Sequence, residues 1–175
     1  MTAQKVEEIL FATDGAAYGA NYSAHYLEQY KIYLASAEAI SDRRQKANEY
    51  FLAVNTALIT VLGFFAAGGD AARPLAILGP SSLAGIAMCY LWYRIIISYK
   101  GLNGAKFKVI HALERRLPLG LYDGEWEMLG RGEDRKLYWP FTHIERLVPW
   151  LFILIYAVLL IGSLFLDRLP ALLPR

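Results

Sequence analysis

Few residues in this chain have the type and spacing to do chemistry. His111 and Glu114 stand three apart in a segment of helical periodicity, a spacing that sets two metal ligands on one helix face. Two ligands do not make a site, so the pair is read as part of a solvated helix face. His25 and His143 have no sequence-local partner that adds to it. The chain has no Walker A loop, nucleophile elbow, His-Glu-x-x-His or Cys-x-x-Cys. Its single cysteine, Cys89, excludes an internal disulfide and a multi-cysteine metal site. The expectation is a chain with no catalytic residue, no metal, no cofactor and no enzymatic activity. More informative are Asn55, Thr56 and Thr60, which interrupt an apolar run, because polar side chains in hydrocarbon need partners. Interhelical hydrogen bonds there are worth roughly 0.6 to 2 kcal/mol, which suits packing better than a conduction path. Ser81, Gly85 and Cys89 recur every four residues as a stripe that permits close helix approach.

The elements that carry these residues follow from composition. The chain has 175 residues, 56% hydrophobic and 19% charged, with a mean hydropathy of +0.29. Soluble domains carry roughly 25% charged residues, so the balance points to a bilayer. Three runs reach the roughly 20 apolar residues that span a hydrocarbon core: 50–69, 75–97 and 147–166. A chain this short cannot wrap three such helices in polar structure, which excludes a soluble bundle. No acidic residue lies within a span, which removes a common signature of proton-coupled transport. The net charge of +2 leaves no nucleic-acid footprint.

Lys and Arg set the expected orientation, because positive charge in short flanking segments resists translocation. Five precede the first span and nine lie between the second and third, against one (Arg73) in the connector and two (Arg168, Arg175) in the tail. That places the N-terminus and the long loop 98–146 in the cytoplasm, and the C-terminal tail 167–175 outside. Residues 1–20, with Gly and Ala from 13 to 20, are expected to be flexible. From a cap at Asn21 or Ser23, a cytoplasmic helix over 21–49 runs without Pro or Gly into the first span, giving one helix of roughly 45 residues. Its apolar face recurs at Tyr26, Tyr30, Tyr33, Ala37 and Ile40, breaks at Arg44, and resumes at Ala47 and Phe51, a coiled-coil-like spacing. Tyrosine hydroxyls in such a seam want partners, from the loop of the same chain or from a neighbouring subunit. Arg43, Arg44 and Lys46 are placed to meet anionic lipid headgroups, or to pair with acids of a neighbour. In the loop, 105–117 reads as a separate amphipathic helix ending at Pro118, followed by a short turn at 125–129. Thr142 to Glu145 fits a capping box for the last helix, with Pro149 one turn later.

The block 40–59, Ile-Ser-Asp-Arg-Arg-Gln-Lys-Ala-Asn-Glu-Tyr-Phe-Leu-Ala-Val-Asn-Thr-Ala-Leu-Ile, resembles the approach to the first membrane helix in the RipA-type octameric bacterial inner-membrane proteins. The stretch 139–150, Trp-Pro-Phe-Thr-His-Ile-Glu-Arg-Leu-Val-Pro-Trp, is similar to that family's approach to its last span. The resemblance covers about residues 26–166. It implies a multi-pass bacterial inner-membrane protein that forms a homo-octamer, with no established enzymatic activity. The expectation is therefore an all-α membrane protein with three transmembrane helices, a long N-terminal helix continuous with the first span, and a helical cytoplasmic loop. It acts as a non-catalytic oligomeric scaffold, the alternative being an oligomeric pore or channel. Its partners are copies of itself and membrane lipids. Candidates for the oligomer interface are Tyr26, Tyr30, Tyr33, Ala37, Ile40, Arg44, Asn55 and Thr56. No nucleic acid is expected.

Overall fold

The computed structural model describes residues 3–67, 72–134, 136–138 and 140–166. Its elements are α1 (Ala3–Leu10), α2 (Gly15–Tyr18), α3 (Tyr22–Ala67), α4 (Ala72–Glu114), α5 (Leu121–Met128), a 3-10 turn (Gly130–Gly132) and α6 (Phe141–Leu166). No strand occurs among the described residues. Three of the helices, α3, α4 and α6, are long and apolar enough to cross a membrane. The chain forms two compact units, one of residues 1–42 and 101–139, the other of 43–100 and 140–175, and α3 and α4 contribute to both.

The long N-terminal helix is one element, as its Pro-free and nearly Gly-free sequence requires. It starts one residue after Asn21, whose carbonyl accepts from His25 N at 3.0 Å. The second long helix departs from expectation. In place of a span, a break and a separate helix over 105–117, α4 runs unbroken to Glu114. Gly101 and Gly104 have open space where a Cβ would sit, so each weakens the helix by about 1 kcal/mol without bending it, and no proline falls between Pro80 and Pro118. The helix closes in a tightened last turn, Arg116 N to Leu113 O at 3.1 Å and Leu117 N to Glu114 O at 2.9 Å.

Residues 3–18, expected to be loose, hold two short helices. Glu7 of α1 pairs with Arg115 at 2.7 Å, and the Arg116 guanidinium lies 3.3 Å over the Phe11 ring. Gly19, at φ +99°, makes the reversal between α2 and α3. The turn expected at 125–129 is the longer α5, and its following 3-10 turn holds Gly130, Arg131 and Gly132 at positive φ. Trp126 packs there: a Cβ on Gly132 would lie 3.0 Å from its ring.

In the unit of residues 43–100 and 140–175, the core is Leu62, Leu78, Cys89 and Tyr156, with Leu58, Ile86 and Phe152 packed around them. The inward face of α4 runs Leu78, Ser82, Gly85, Cys89, Trp92 and Ile96, a 4,3,4,3,4 spacing. The small-residue stripe thus passes through Ser82, which is fully buried, and not through Ser81. Gly85 is required by the close approach of α6, because a Cβ there would meet the Tyr156 ring at 2.5 Å. The centre of the connector and the tail 167–175 lie outside the described residues.

Candidate functional site

The seam tyrosines sit beside the end of α4. Tyr26 OH donates to the Leu113 carbonyl at 2.5 Å, satisfying one of the acceptors that a helix C-terminus leaves open. Tyr30 OH donates to Glu114 Oε1 at 3.0 Å. Tyr33 offers its ring face to the Lys106 ammonium, 4.5 Å from the centroid, and Lys106 Nζ also reaches Ser36 Oγ at 2.6 Å. Ala37 is buried and Ile40 half-buried. The hydroxyl partners of Tyr26 and Tyr30, and the cation over the Tyr33 ring, are therefore groups of the same chain.

Glu114 is the centre of this arrangement. It is 2% exposed and not on a solvated helix face, which corrects the sequence reading. Besides Tyr30, its carboxylate accepts from Tyr122 N and Asp123 N, each at 3.2 Å. These are orphan N–H groups of the first turn of α5, whose own N-cap position is Gly120, with no side chain to cap it. A carboxylate delivered by α4 does the capping instead, with the helix dipole adding to the attraction. Burial, and then the hydrogen bond to Glu114, push the Tyr30 hydroxyl up to about 12. Burial likewise raises Tyr26, Tyr33 and Tyr122. His111 does not converge with Glu114; its Nδ1 lies 3.8 Å from an Asp123 oxygen, and its ring meets Phe107 edge-on. An open pocket of about 200 Å³ beside the seam is lined by Phe11, Tyr18, Tyr22, His25 and Tyr26.

The second polar constellation ties α3, α4 and α6 together. Trp92 Nε1 donates to Asn48 Oδ1 at 2.9 Å, Asn48 Nδ2 donates to Glu145 Oε1 at 2.9 Å, and Arg44 Nε lies 3.7 Å from the same oxygen. Phe51, stacked on Trp92 at 5.8 Å, and Phe152 form the next layer. Below them Asn55 is fully buried. Its Oδ1 accepts from Cys89 Sγ and Tyr156 OH, both at 3.1 Å, while Nδ2 donates to the Phe51 carbonyl at 2.7 Å.

These placements revise three expectations. Asn55 finds its partners within the chain rather than in a neighbouring subunit, because α4 and α6 both reach it. Thr56, one residue on, is exposed on another face. Arg44 is turned toward Glu145, leaving Arg43 and Lys46 as the exposed cations of that cluster. Glu145 does not reach back as a capping-box acid: its carboxylate is engaged by Asn48, and α6 begins at Phe141, so Thr142 stands inside the helix. The Thr142 side chain itself lies outside the described ones. Asn48 and Tyr156 were not singled out from the sequence, although Arg44, Asn48 and Asn55, at i, i+4 and i+11, share one helix face.

Among the described residues no three His, Cys, Asp or Glu side chains gather to hold a metal. In comparison with known proteins, a family model described as the octameric membrane protein family (8xMP) matches residues 27–165. No curated protein and no solved structure matches the chain.

Proposed function

The chain belongs to the octameric membrane protein family, and on that premise we propose that it is a non-catalytic oligomeric scaffold of the RipA type in a bacterial inner membrane. Its N-terminus and the segment between the second and third spans face the cytoplasm, and its C-terminus lies outside. The observation that carries the scaffold reading is where the polar groups of the spans point. Asn55, Tyr156, Ser82 and Ser163 are buried within the chain. The outward faces of the spans present Leu52, Val61, Phe64, Leu83, Leu91, Leu154, Val158 and Ile161. In the most apolar stretch of each span, only 11%, 28% and 17% is buried. Such surface suits lipid and neighbouring subunits; a water-filled pathway needs hydrophilic lining. Thr56 and Thr60 are exposed on α3, and Thr60 Oγ1 already donates to the Thr56 carbonyl.

Reconstitution into liposomes separates this reading from a pore. The expected result is a particle of eight protomers by light scattering and no ion flux above that of empty vesicles. Conductance that scales with protein and is altered by Thr56→Leu would establish the pore instead. The orientation is tested by single cysteines at Asp70 and Gly132 in a Cys89→Ser background. An impermeant reagent applied to intact cells is expected to label the former alone.

A further inference from the structure

One end of the unit of residues 43–100 and 140–175 carries more positive charge than the chain neutralises. Arg43, Arg44, Lys46, Arg94, Lys100 and Arg146 lie there with two acids. Both acids are engaged: Glu145 by Asn48 and Arg44, and Glu49 by Gln45 Nε2 at 2.9 Å. Arg146 stands out among the cations. Its Nη2 lies in hydrogen-bond contact with His143 Nδ1 at 2.8 Å. Arg146 is half-buried and, among the described residues, no Asp or Glu forms an ion pair with it; its Nε is enclosed by the protein, so the terminal guanidinium nitrogens are the donors open to a ligand. Its chain neighbour Glu145 faces elsewhere, because adjacent residues on a helix do not face each other.

One turn further along α6, Trp150 is exposed and packs edge-on against Tyr93 of α4, ring centroids 5.7 Å apart. Exposed Leu151 and Leu154 continue below it. Along the helix the order is guanidinium, aromatic pair, apolar face, which is the order of a phospholipid from phosphate through ester region to acyl chains. Interfacial Trp and Tyr favour that middle zone, and a guanidinium offers a phosphate paired donors. We propose that Arg146, Tyr93 and Trp150 form a binding site for the phosphodiester group of an anionic phospholipid. The site rests on the membrane placement above and adds a specific lipid contact to it.

The test is native mass spectrometry of the full-length protein with phosphatidylglycerol, phosphatidylcholine of the same acyl chains, and inorganic phosphate. Phosphatidylglycerol is expected to bind about tenfold more tightly than phosphatidylcholine, because the choline cation offsets the phosphodiester charge and is repelled by the cations around Arg146. Arg146→Gln is expected to abolish that preference and Arg146→Lys to keep part of it. Arg94→Gln, removing a cation already bonded to its own Tyr90 hydroxyl at 3.1 Å, is expected to leave it intact. An undiminished preference in Arg146→Gln overturns the site, as does equal occupancy by free phosphate. So does a loss of particle mass in Arg146→Gln whatever lipid is present, which would assign the guanidinium to an acid of a neighbouring subunit. Should Arg146→Gln lose its helical circular dichroism, Arg146→Met, which keeps the apolar stem and removes the charge, takes its place, and an undiminished preference there overturns the site equally. Particle mass read in the same spectra keeps the two readings apart: an octamer without lipid preference sinks the lipid site alone, and a monomer with it sinks the assembly alone.

Discussion

Glu114 and Glu145 are both withdrawn from solvent, at 2% and 8% exposure, yet their donors are of different kinds. Glu114 is held by two backbone N–H groups and a phenol. Glu145 is held by an amide side chain and a loosely placed guanidinium, and its second oxygen has no partner among the described residues. The difference follows from what each carboxylate faces. Glu114 meets the first turn of α5, where N–H groups lack intrahelical acceptors. Glu145 meets the flanks of long continuous helices, whose N–H groups are already used, so only side chains remain to donate. Backbone donors are fixed in place, whereas side-chain donors must themselves be ordered by packing.

The strongest way to break this comparison is Glu114→Ala. It strands two backbone donors and the Tyr30 hydroxyl, and is expected to destabilise the unit of residues 1–42 and 101–139 by about 3 kcal/mol or more. Glu114→Gln, which keeps one carbonyl acceptor, is expected to fall between wild type and Ala. Hydrogen exchange of the α5 amides is the readout. If Glu114→Ala leaves their protection unchanged, the carboxylate is not the cap of α5.

Next in size is Gly85→Ala in the other unit. Its added Cβ would enter the Tyr156 ring, and displacing a packed aromatic costs about 2 kcal/mol. A lower midpoint in detergent-mediated unfolding is expected, with protection of the α5 amides unaltered. A midpoint equal to wild type would show that α6 does not pack against Gly85.

A smaller effect separates the two regions by pH. Tyr30 titrates at about 12 in the folded chain against 10.0 for a free phenol. A raised value means the folded state favours the protonated hydroxyl. The stabilisation is complete below pH 10 and is lost as pH rises through about 12. Tyr30→Phe is expected to remove this alkaline sensitivity and to lower neutral-pH stability by about 1 kcal/mol. Tyrosinate absorbance during titration is the check; an unchanged alkaline transition in Tyr30→Phe would count against the Tyr30 to Glu114 bond.

The smallest expected change is Asn55→Leu, about 0.6 kcal/mol, the mean for side-chain hydrogen bonds in membranes. Because the Asn55 partners belong to the same chain, particle mass is expected to stay that of the wild type while the unfolding midpoint falls slightly. Dissociation of the oligomer on this substitution would return Asn55 to the subunit interface.

Hydropathy, helical period and the absence of proline were legible in the residues themselves. They suffice for three apolar helices long enough to span, for a first helix that continues into its span, and for a tyrosine face along it, though not for what that face meets. These properties are local: they depend on runs of apolar side chains and on backbone propensity, which each stretch carries with it. Pattern alone ended the second span at 97 and began a separate helix at 105, whereas α4 is continuous through both, since a change from apolar to amphipathic composition does not by itself interrupt backbone hydrogen bonding. It also misassigned Glu145 to its own helix N-terminus, the nearest set of donors along the chain, when Asn48 lies 97 residues away. Which polar group meets which depends on the register of one helix against another. That register is set by the approach of Tyr156 to Gly85 and of Trp92 to Asn48. Only the tertiary structure decided that Glu114 caps α5, that Asn55 serves α4 and α6, and that Arg44 is the cation that meets Glu145. No local rule of spacing contains these relations: Asn55 and Tyr156 stand 101 residues apart, and even the Glu114 cap, eight residues on, depends on how the chain turns between α4 and α5.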